Sequence, residues 1–146
     1  MILYQDTSSI VKLYVEDEKG ISETRKAVDE ADFLATSLVA YAEVRAAFAR
    51  ARRENRLSDS EYDRILAAFH RDWRHYRKLN PSSTLIRKAG DLAERRALRG
   101  YDAIHLASAL TLRDLVPVSM SLSTWDGRMA TAATAEGLSL AHEVKQ

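Results

Sequence analysis

The sequence contains no cysteine and little glycine or proline, with five Gly and two Pro among 146 residues. The absence of cysteine excludes disulfide bonds, thiolate metal sites and cysteine nucleophiles. No apolar run is long enough to span a membrane, and no cationic start followed by an apolar segment indicates a secretion signal. We therefore expect a cytoplasmic protein that makes no membrane contact.

The composition is typical of a soluble globular domain, with 46% hydrophobic and 29% charged residues. Since no internal repeat, low-complexity tract or linker interrupts the chain, we expect residues 1–146 to form a single domain. The net charge is only +1, yet five arginines lie within residues 45–56, beside a single Glu. Such a cluster indicates either a solvated helix face or a surface that binds phosphate groups.

Short apolar runs alternate with helical patterns along the whole chain. The runs that predict strands are ILYQ (2–5), FLAT (33–36), HYRKL (75–79, at a sheet edge), PVSMSLST (117–124) and LSLA (138–141). This alternation predicts an α/β fold with a parallel sheet that is covered by helices on both faces. In such folds, functional sites form beyond the carboxyl ends of the strands.

Several residues predict where helices begin and end. Ser58 and Glu61 have the spacing of a capping box, and Ser37 is expected to cap the helix that carries Glu43. Lys19-Gly20 is expected to close the first helix, and Gly100 to allow a sharp turn before Asp102.

Three aspartates stand where predicted strands end or helices begin. Asp6 directly follows the first strand, whereas Asp102 and Asp126 each open a helix. Any one of them alone is explained as a helix N-cap, because Asp accepts hydrogen bonds from free backbone N–H groups.

Glu43 has no such explanation, because it lies inside its helix among apolar neighbours such as Val39 and Ala47. A buried carboxylate requires compensation, either from an ion pair with a nearby arginine or from another group. If the strand ends align, Asp6, Asp102 and Asp126 meet at one rim within reach of Glu43. Four carboxylates at close range raise one another's pKa unless a cation lies among them, and oxygen ligands suit Mg²⁺ or Mn²⁺. Such ions activate water for attack at phosphorus.

Four motifs support a family resemblance, namely YQDTSSIVKLY, TSLVAYAEVRAA, LRGYDAIHLASAL and STWDGRMATAA. In order and spacing they resemble PIN-domain ribonucleases, specifically VapC-type toxins of type II toxin–antitoxin systems, over nearly the whole chain. The resemblance implies a single PIN-like domain, a three-layer α/β/α sandwich with a central parallel sheet. It implies an Mg²⁺- or Mn²⁺-dependent endoribonuclease that leaves 5′-phosphate and 3′-hydroxyl ends. The catalytic metal ligands that it implies are Asp6, Glu43, Asp102 and Asp126.

The resemblance also implies a homodimer or a larger toxin–antitoxin assembly, in which a cognate antitoxin blocks the site. Ser8 is expected to bond Asp6 or to cap a helix, and Thr124 is expected to support the acids. His105 is expected to be a packed, hydrogen-bonded core residue. Three arginines of the basic cluster are expected to contact the RNA backbone or to receive an acidic antitoxin segment. They are Arg45, Arg50 and Arg53.

Other functions fit the sequence less well. A catalytically inactive PIN-like module that binds RNA or protein stays an alternative, although all four acids are present. A receiver domain would have paired acids after its first strand and a lysine after a late strand, and the sequence has neither. A dinucleotide-binding Rossmann enzyme is not favoured, because no G-x-G-x-x-G follows a strand.

Overall fold

A computed structural model describes residues 1–15 and 19–145. The described chain contains five strands: β1 (Ile2–Gln5), β2 (Phe33–Ser37), β3 (Arg77–Leu79), β4 (Met120–Ser123) and β5 (Ser139–Leu140). Its helices are α1 (Thr7–Lys12), α2 (Ile21–Glu30), α3 (Ala40–Arg53), α4 (Asp59–Trp73), α5 (Ser83–Arg96), α6 (Gly100–Leu115) and α7 (Gly127–Ala135). The strands form one sheet in the order β3-β2-β1-β4-β5, and every pair is parallel.

Two separate hydrophobic cores lie on the two faces of this sheet. One core joins α1, α3 and α4, with Ile10, Phe48 and Phe69 fully buried. The other joins α5, α6 and α7 to the sheet, with Leu106 and Met129 fully buried. The three-layer α/β/α sandwich is therefore confirmed. The sequence predicts it because parallel strands need a helix in each crossover, and those helices must bury an apolar face on the sheet.

Two of the local predictions are confirmed. The Ser58 hydroxyl accepts the Glu61 N–H at 3.1 Å, and the Glu61 carboxylate accepts the Ser58 N–H at 3.0 Å, which completes the capping box of α4. The weak strand within residues 75–79 is β3, and it lies at the edge of the sheet.

Three boundary predictions are wrong. Ser37 belongs to β2, and α3 begins after Val39 without a side-chain cap; the Ser37 hydroxyl instead accepts the Val39 N–H at 3.3 Å. Gly20 does not end the first helix, because α1 ends at Lys12 and Gly20 is the N-cap of α2. Part of the helix predicted before Gly20, residues 16–18, lies outside the described residues. Gly100 is the first residue of α6 and has no positive φ, so no turn requires glycine there.

The glycine at position 20 has a different physical reason. Its φ is +90°, a conformation that favours glycine, and a Cβ there would lie 2.5 Å from the Trp125 ring. Close contact between the start of α2 and the segment after β4 therefore requires a residue without a side chain.

The position of β1 decides where a site can form. β1 is the central strand, with β2 on one side and β4 on the other. The chain leaves β1 toward β2 and later enters the sheet on the opposite side, so the carboxyl ends of β1 and β4 border the topological switch point. Asp6 is the first residue after β1, and Thr124 the first after β4. Within the described part of the chain, no helix is long and apolar enough to cross a membrane.

Candidate active site

Asp6 is a buried carboxylate at the switch point, 3% exposed. Its Oδ1 accepts the Ser9 N–H at 3.1 Å and the Ser8 hydroxyl at 2.6 Å, while its Oδ2 accepts the Thr124 hydroxyl at 2.5 Å. A carboxylate oxygen accepts about two hydrogen bonds, so Oδ2 keeps one acceptor position. Asp6 is thus the N-cap of α1, as expected for a lone aspartate before a helix. Its Oδ2 can still bind a further group.

Ser8 and Thr124 tie the ends of β1 and β4 together around Asp6. The Ser8 hydroxyl, besides donating to Asp6, accepts the Trp125 N–H at 2.9 Å. Thr124 Oγ1 accepts the Asp126 N–H at 3.1 Å while its own proton goes to Asp6. The sequence placed Thr124 near Asp126, but its hydroxyl donates to Asp6, because β1 and β4 are adjacent strands.

Glu43 contacts a histidine rather than an arginine. The buried His105 donates through Nε2–H to Glu43 Oε1 at 2.8 Å, and Thr7 Oγ1 donates to the same oxygen at 2.7 Å. An ionised carboxylate only accepts hydrogen bonds, so Nε2 of His105 carries a proton. The other ring nitrogen, Nδ1, lies 2.9 Å from the Tyr4 hydroxyl. The prediction of a packed, hydrogen-bonded His105 is confirmed, and the alternative of a Glu43–arginine ion pair is wrong.

The second carboxylate oxygen of Glu43 accepts no hydrogen bond from the described residues. This oxygen is Oε2, and the Glu43 side chain is 25% exposed. Glu43 therefore presents one fixed oxygen to the protein and one free oxygen toward the rim.

Asp102 and Asp126 occupy the outer part of the rim. Asp126 is the N-cap of α7, and its Oδ1 accepts the N–H groups of Arg128 and Met129 at 2.9 and 3.3 Å. Asp102 is not a cap, because Arg99 precedes α6 and Asp102 is the third residue of the helix. The capping explanation therefore holds for Asp126 and fails for Asp102.

The surroundings shift the pKa of three of these carboxylates, and the charges of the other acids act on Asp102. Burial raises the pKa of Asp6, against the opposing effects of His105, Ser8 and Thr124. The pKa of Asp102 is also raised, first by burial and then by the negative charges of Asp126, Asp6 and Glu43. Burial acts to raise the pKa of Glu43 too, but hydrogen bonds and charge from His105, with the Thr7 hydrogen bond, hold that pKa below its ordinary value.

A divalent cation would suit the chemistry of this donor set. Every candidate ligand is a carboxylate oxygen, which hard cations prefer, and a cation would offset the mutual repulsion felt at Asp102. As the side chains are placed, no three Asp, Glu or His residues within the described ranges stand close enough together to hold one ion. Ligation would therefore require side-chain rotation, which the exposed oxygen of Glu43 and the half-exposed Asp102 permit.

The structure does not bring the predicted arginines to these carboxylates. Arg45 follows Glu43 by two residues, so it projects about 200° around α3, where its guanidinium donates to the Tyr41 hydroxyl at 2.9 Å. Arg50 forms an ion pair with Glu54 at 2.8 Å. Arg53 is exposed ten residues beyond Glu43, about 15 Å along the helix axis.

Two features were missed in the sequence. The first is the Tyr4 hydroxyl behind His105; the available signal was a tyrosine in a buried strand, since a buried tyrosine hydroxyl needs a partner. The second is a cavity of about 890 Å³ beside Asp102 and Asp126. Its charged lining residues come from three stretches of the chain, residues 96–102, 126–128 and 145: Arg96, Arg99, Asp102, Asp126, Arg128 and Lys145. No local sequence pattern joins these positions.

Comparison with known proteins gives sequence relatives along nearly the whole chain. The PIN domain family model matches residues 3–116. Two curated proteins of Mycobacterium tuberculosis, named ribonuclease VapC45 (strain CDC 1551 / Oshkosh) and ribonuclease VapC49 (strain ATCC 25618 / H37Rv), are each 40% identical over 144 residues. In both cases the match covers 96% of this chain and 94% of the relative.

Solved structures share the fold at lower sequence identity. A toxin–antitoxin complex from Klebsiella pneumoniae matches with a TM-score of 0.63 and 19% identity, over 99% of this chain and 100% of the other. VapBC2 from Rickettsia felis, bound to a DNA fragment from its promoter, matches with a TM-score of 0.63 and 14% identity, over 96% and 97%. From the family match and the 40% identity to the VapC proteins, the chain belongs to the PIN-domain family, in its VapC-type branch.

Proposed function

We propose that this chain is a metal-dependent endoribonuclease and the toxin of a toxin–antitoxin pair. Relatives that share 40% of its residues over nearly full length are named ribonucleases, and toxin–antitoxin structures share its fold. The observation that carries the proposal is the electrostatic coupling of Asp102 to the acids Asp6, Glu43 and Asp126 at the switch point of the sheet. Mutually repelling carboxylates need a cation, and phosphodiester hydrolysis is chemistry that such a cation serves.

In this proposal Asp6, Glu43 and Asp102 are the main ligands of Mg²⁺ or Mn²⁺, and Asp126 supports them. A bound divalent cation supplies positive charge at the scissile phosphate and makes water more acidic. The protein's own part is to hold the ligands. Ser8 and Thr124 fix the orientation of Asp6, and His105 fixes Glu43. Holding ligands through hydrogen bonds typically changes metal affinity or activity by about 10–100-fold.

The proposed partners are RNA, a cognate antitoxin and a second copy of the chain, in the cytoplasm. Arg45, Arg50 and Arg53 stay candidates for contact with RNA or with an acidic antitoxin segment. Arg50 would have to leave Glu54 to do so. The homodimer is testable by light scattering of the purified protein at several concentrations.

A second candidate function is a PIN-like module that binds RNA or protein without cleaving. The observation that favours it is the lack, among the described residues, of three acidic or histidine side chains already placed to hold one ion.

The first experiment compares the wild type with Asp102→Asn, each induced in a bacterial host, and maps new RNA 5′-monophosphate ends. We expect growth arrest and new ends at a few sites with the wild type, and neither with the variant. Circular dichroism of both purified proteins controls for folding. Equal cleavage by both proteins would contradict the four-acid mechanism. No new ends from a folded wild type, with RNA still bound, would favour the binding module.

A further inference from the structure

The cavity beside Asp102 and Asp126 is lined by more positive than negative side chains. Four cations line it, Arg96, Arg99, Arg128 and Lys145, against the two aspartates. These cations come from the end of α5, the α5–α6 connection, the start of α7 and the chain after β5. A positive surface built from three stretches of the chain at one cavity does not follow from a single basic helix face.

Three of these cations are free to bind an incoming anion. Arg96 bonds Glu136 at 3.2 Å and the Ala135 carbonyl at 3.5 Å. In contrast, the side chains of Arg99, Arg128 and Lys145 make no ion pair or hydrogen bond to any residue that the structure describes, and all three are exposed. An unpaired surface cation has no competing carboxylate to displace, so it binds an anion at lower cost.

The arginines of α3 are less suited than the cavity cations to bind the reacting phosphate. Arg50 is paired with Glu54, and Arg45 is held by the Tyr41 hydroxyl on the side of α3 opposite Glu43. Asp102 and Asp126 themselves line the cavity, whereas no hydrogen bond or ion pair among the described residues joins either of them to an α3 arginine. An anion in the cavity therefore lies directly beside the proposed catalytic carboxylates.

We propose that Arg99, Arg128 and Lys145 form a binding site for the phosphodiester backbone of single-stranded RNA that leads to the carboxylates. This inference rests on the proposed ribonuclease function. The cavity, at about 890 Å³, is at the upper end of the range of roughly 300–1,000 Å³ for small-ligand pockets, so it has room for a short polymer segment. The guanidinium groups of the two arginines match phosphate geometry, as they match carboxylate geometry. RNA is favoured over an acidic protein segment because Asp102 and Asp126, the proposed catalytic carboxylates, line the same cavity.

Phosphate contacts hold a nucleic acid in position without reading its sequence. The site therefore predicts binding that is independent of RNA sequence and depends strongly on salt. Each phosphate contact to a single strand contributes a slope of about 0.7 to the fall of log K with log salt.

The test measures binding apart from cleavage. The probe is a fluorescein-labelled 20-nucleotide RNA of mixed sequence, titrated with wild-type protein in EDTA, so that no metal supports hydrolysis. The variant Arg99→Gln/Arg128→Gln/Lys145→Gln should raise the Kd about ten-fold or more and lower the salt slope by about two. Arg87→Gln is the matched control, because Arg87 is an exposed arginine of α5 with no hydrogen bond to any described residue. It should leave both quantities unchanged.

Two further measurements would show that RNA binds elsewhere or that the cavity binds a different partner. If Arg53→Gln weakens RNA binding and the triple variant does not, the backbone lies on α3 and the cavity proposal is wrong. If the triple variant loses binding of poly-glutamate but keeps that of RNA, the cavity takes an acidic protein segment and the proposal is also wrong. Failure of the nuclease function itself would appear separately, as wild-type protein that binds the RNA in EDTA but does not cleave it with Mg²⁺ or Mn²⁺.

Discussion

The carboxylates of this site belong to two regions that are held in different ways. Asp6 and Glu43 are fixed by the protein, with Asp6 accepting three hydrogen bonds and Glu43 Oε1 accepting two. Asp102 and Asp126 line an open cavity, and Asp102 accepts no hydrogen bond from the described residues. In the inner region, Asp6 and Glu43, the carboxylates are thus held in place before anything binds. In the outer region, Asp102 and Asp126, the side chains are accessible, and that of Asp102 is free to rotate.

This difference fits a division of labour in catalysis. Fixed ligands hold a reacting centre without reorganisation at the moment of reaction. A polymer substrate, in contrast, must enter and leave, and free cations beside Asp102 and Asp126 serve that need. The inner pair, together with Asp102, is accordingly expected to determine the rate of the chemical step, and the free cations of the outer region the affinity for substrate.

The largest expected effect separates the two regions directly. Asp6→Asn should lower cleavage about 10³-fold or more, because it removes charge from the more deeply buried of the two fixed carboxylates. Asp126→Asn should lower it only about ten-fold, since asparagine caps α7 as well as aspartate does and only ligand charge is lost. The measurement is initial-rate cleavage of labelled RNA with Mn²⁺. Equal losses in the two variants would contradict the distinction between regions.

The next prediction concerns how Glu43 is held. His105→Ala should lower kcat about 10–100-fold with little change in KM, because Glu43 loses the donor that orients it. His105→Gln should recover part of the rate, since its amide also donates a hydrogen bond. Tyr4→Phe should have a smaller effect than His105→Ala, because it removes only the hydrogen-bond partner of His105 Nδ1.

Thermal unfolding controls this series. A change in KM instead of kcat, or equal loss from the Ala and Gln variants at equal melting temperature, would mean that His105 does not act through Glu43.

The smallest expected effect is on stability and belongs to the outer region. Folding raises the pKa of Asp102, so its ionised form is less favourable in the folded than in the unfolded protein. Protonated Asp102 therefore adds to the free energy of unfolding, fully so below the ordinary aspartate pKa of about 3.9. This contribution is lost as the pH rises through the raised pKa of the folded protein. In EDTA at pH 7, Asp102→Asn should therefore raise Tm, by about 1–3 °C because solvent screens this half-exposed group.

Calorimetry between pH 3.5 and 8 measures this gain, which should vanish at the acidic end. Asp91→Asn is the control, because Asp91 is exposed on α5. Millimolar Mg²⁺ should raise the Tm of the wild type more than that of Asp102→Asn. A lower Tm for Asp102→Asn at pH 7 without metal would contradict the raised pKa.

Predictions from sequence succeeded where a residue's surroundings are local. The capping box of α4 depends on Ser58 and Glu61 alone, and the strands follow from short apolar runs. The boundary predictions at Ser37 and Gly20 failed because distant contacts decided them. Ser37 pairs with Leu79 of β3, and Gly20 packs against Trp125, which is more than a hundred residues away.

The sequence by itself determined the α/β alternation and which acids stand at strand ends, because periodicity and position in the chain carry that information. Only the tertiary structure decided what those acids meet. Thr124 donates to Asp6 because β1 and β4 are neighbours, and His105 reaches Glu43 because α6 and α3 approach the same end of the sheet. The cavity cations come from three stretches of the chain, and hydrogen bonds and charge act through space without regard to separation along the chain.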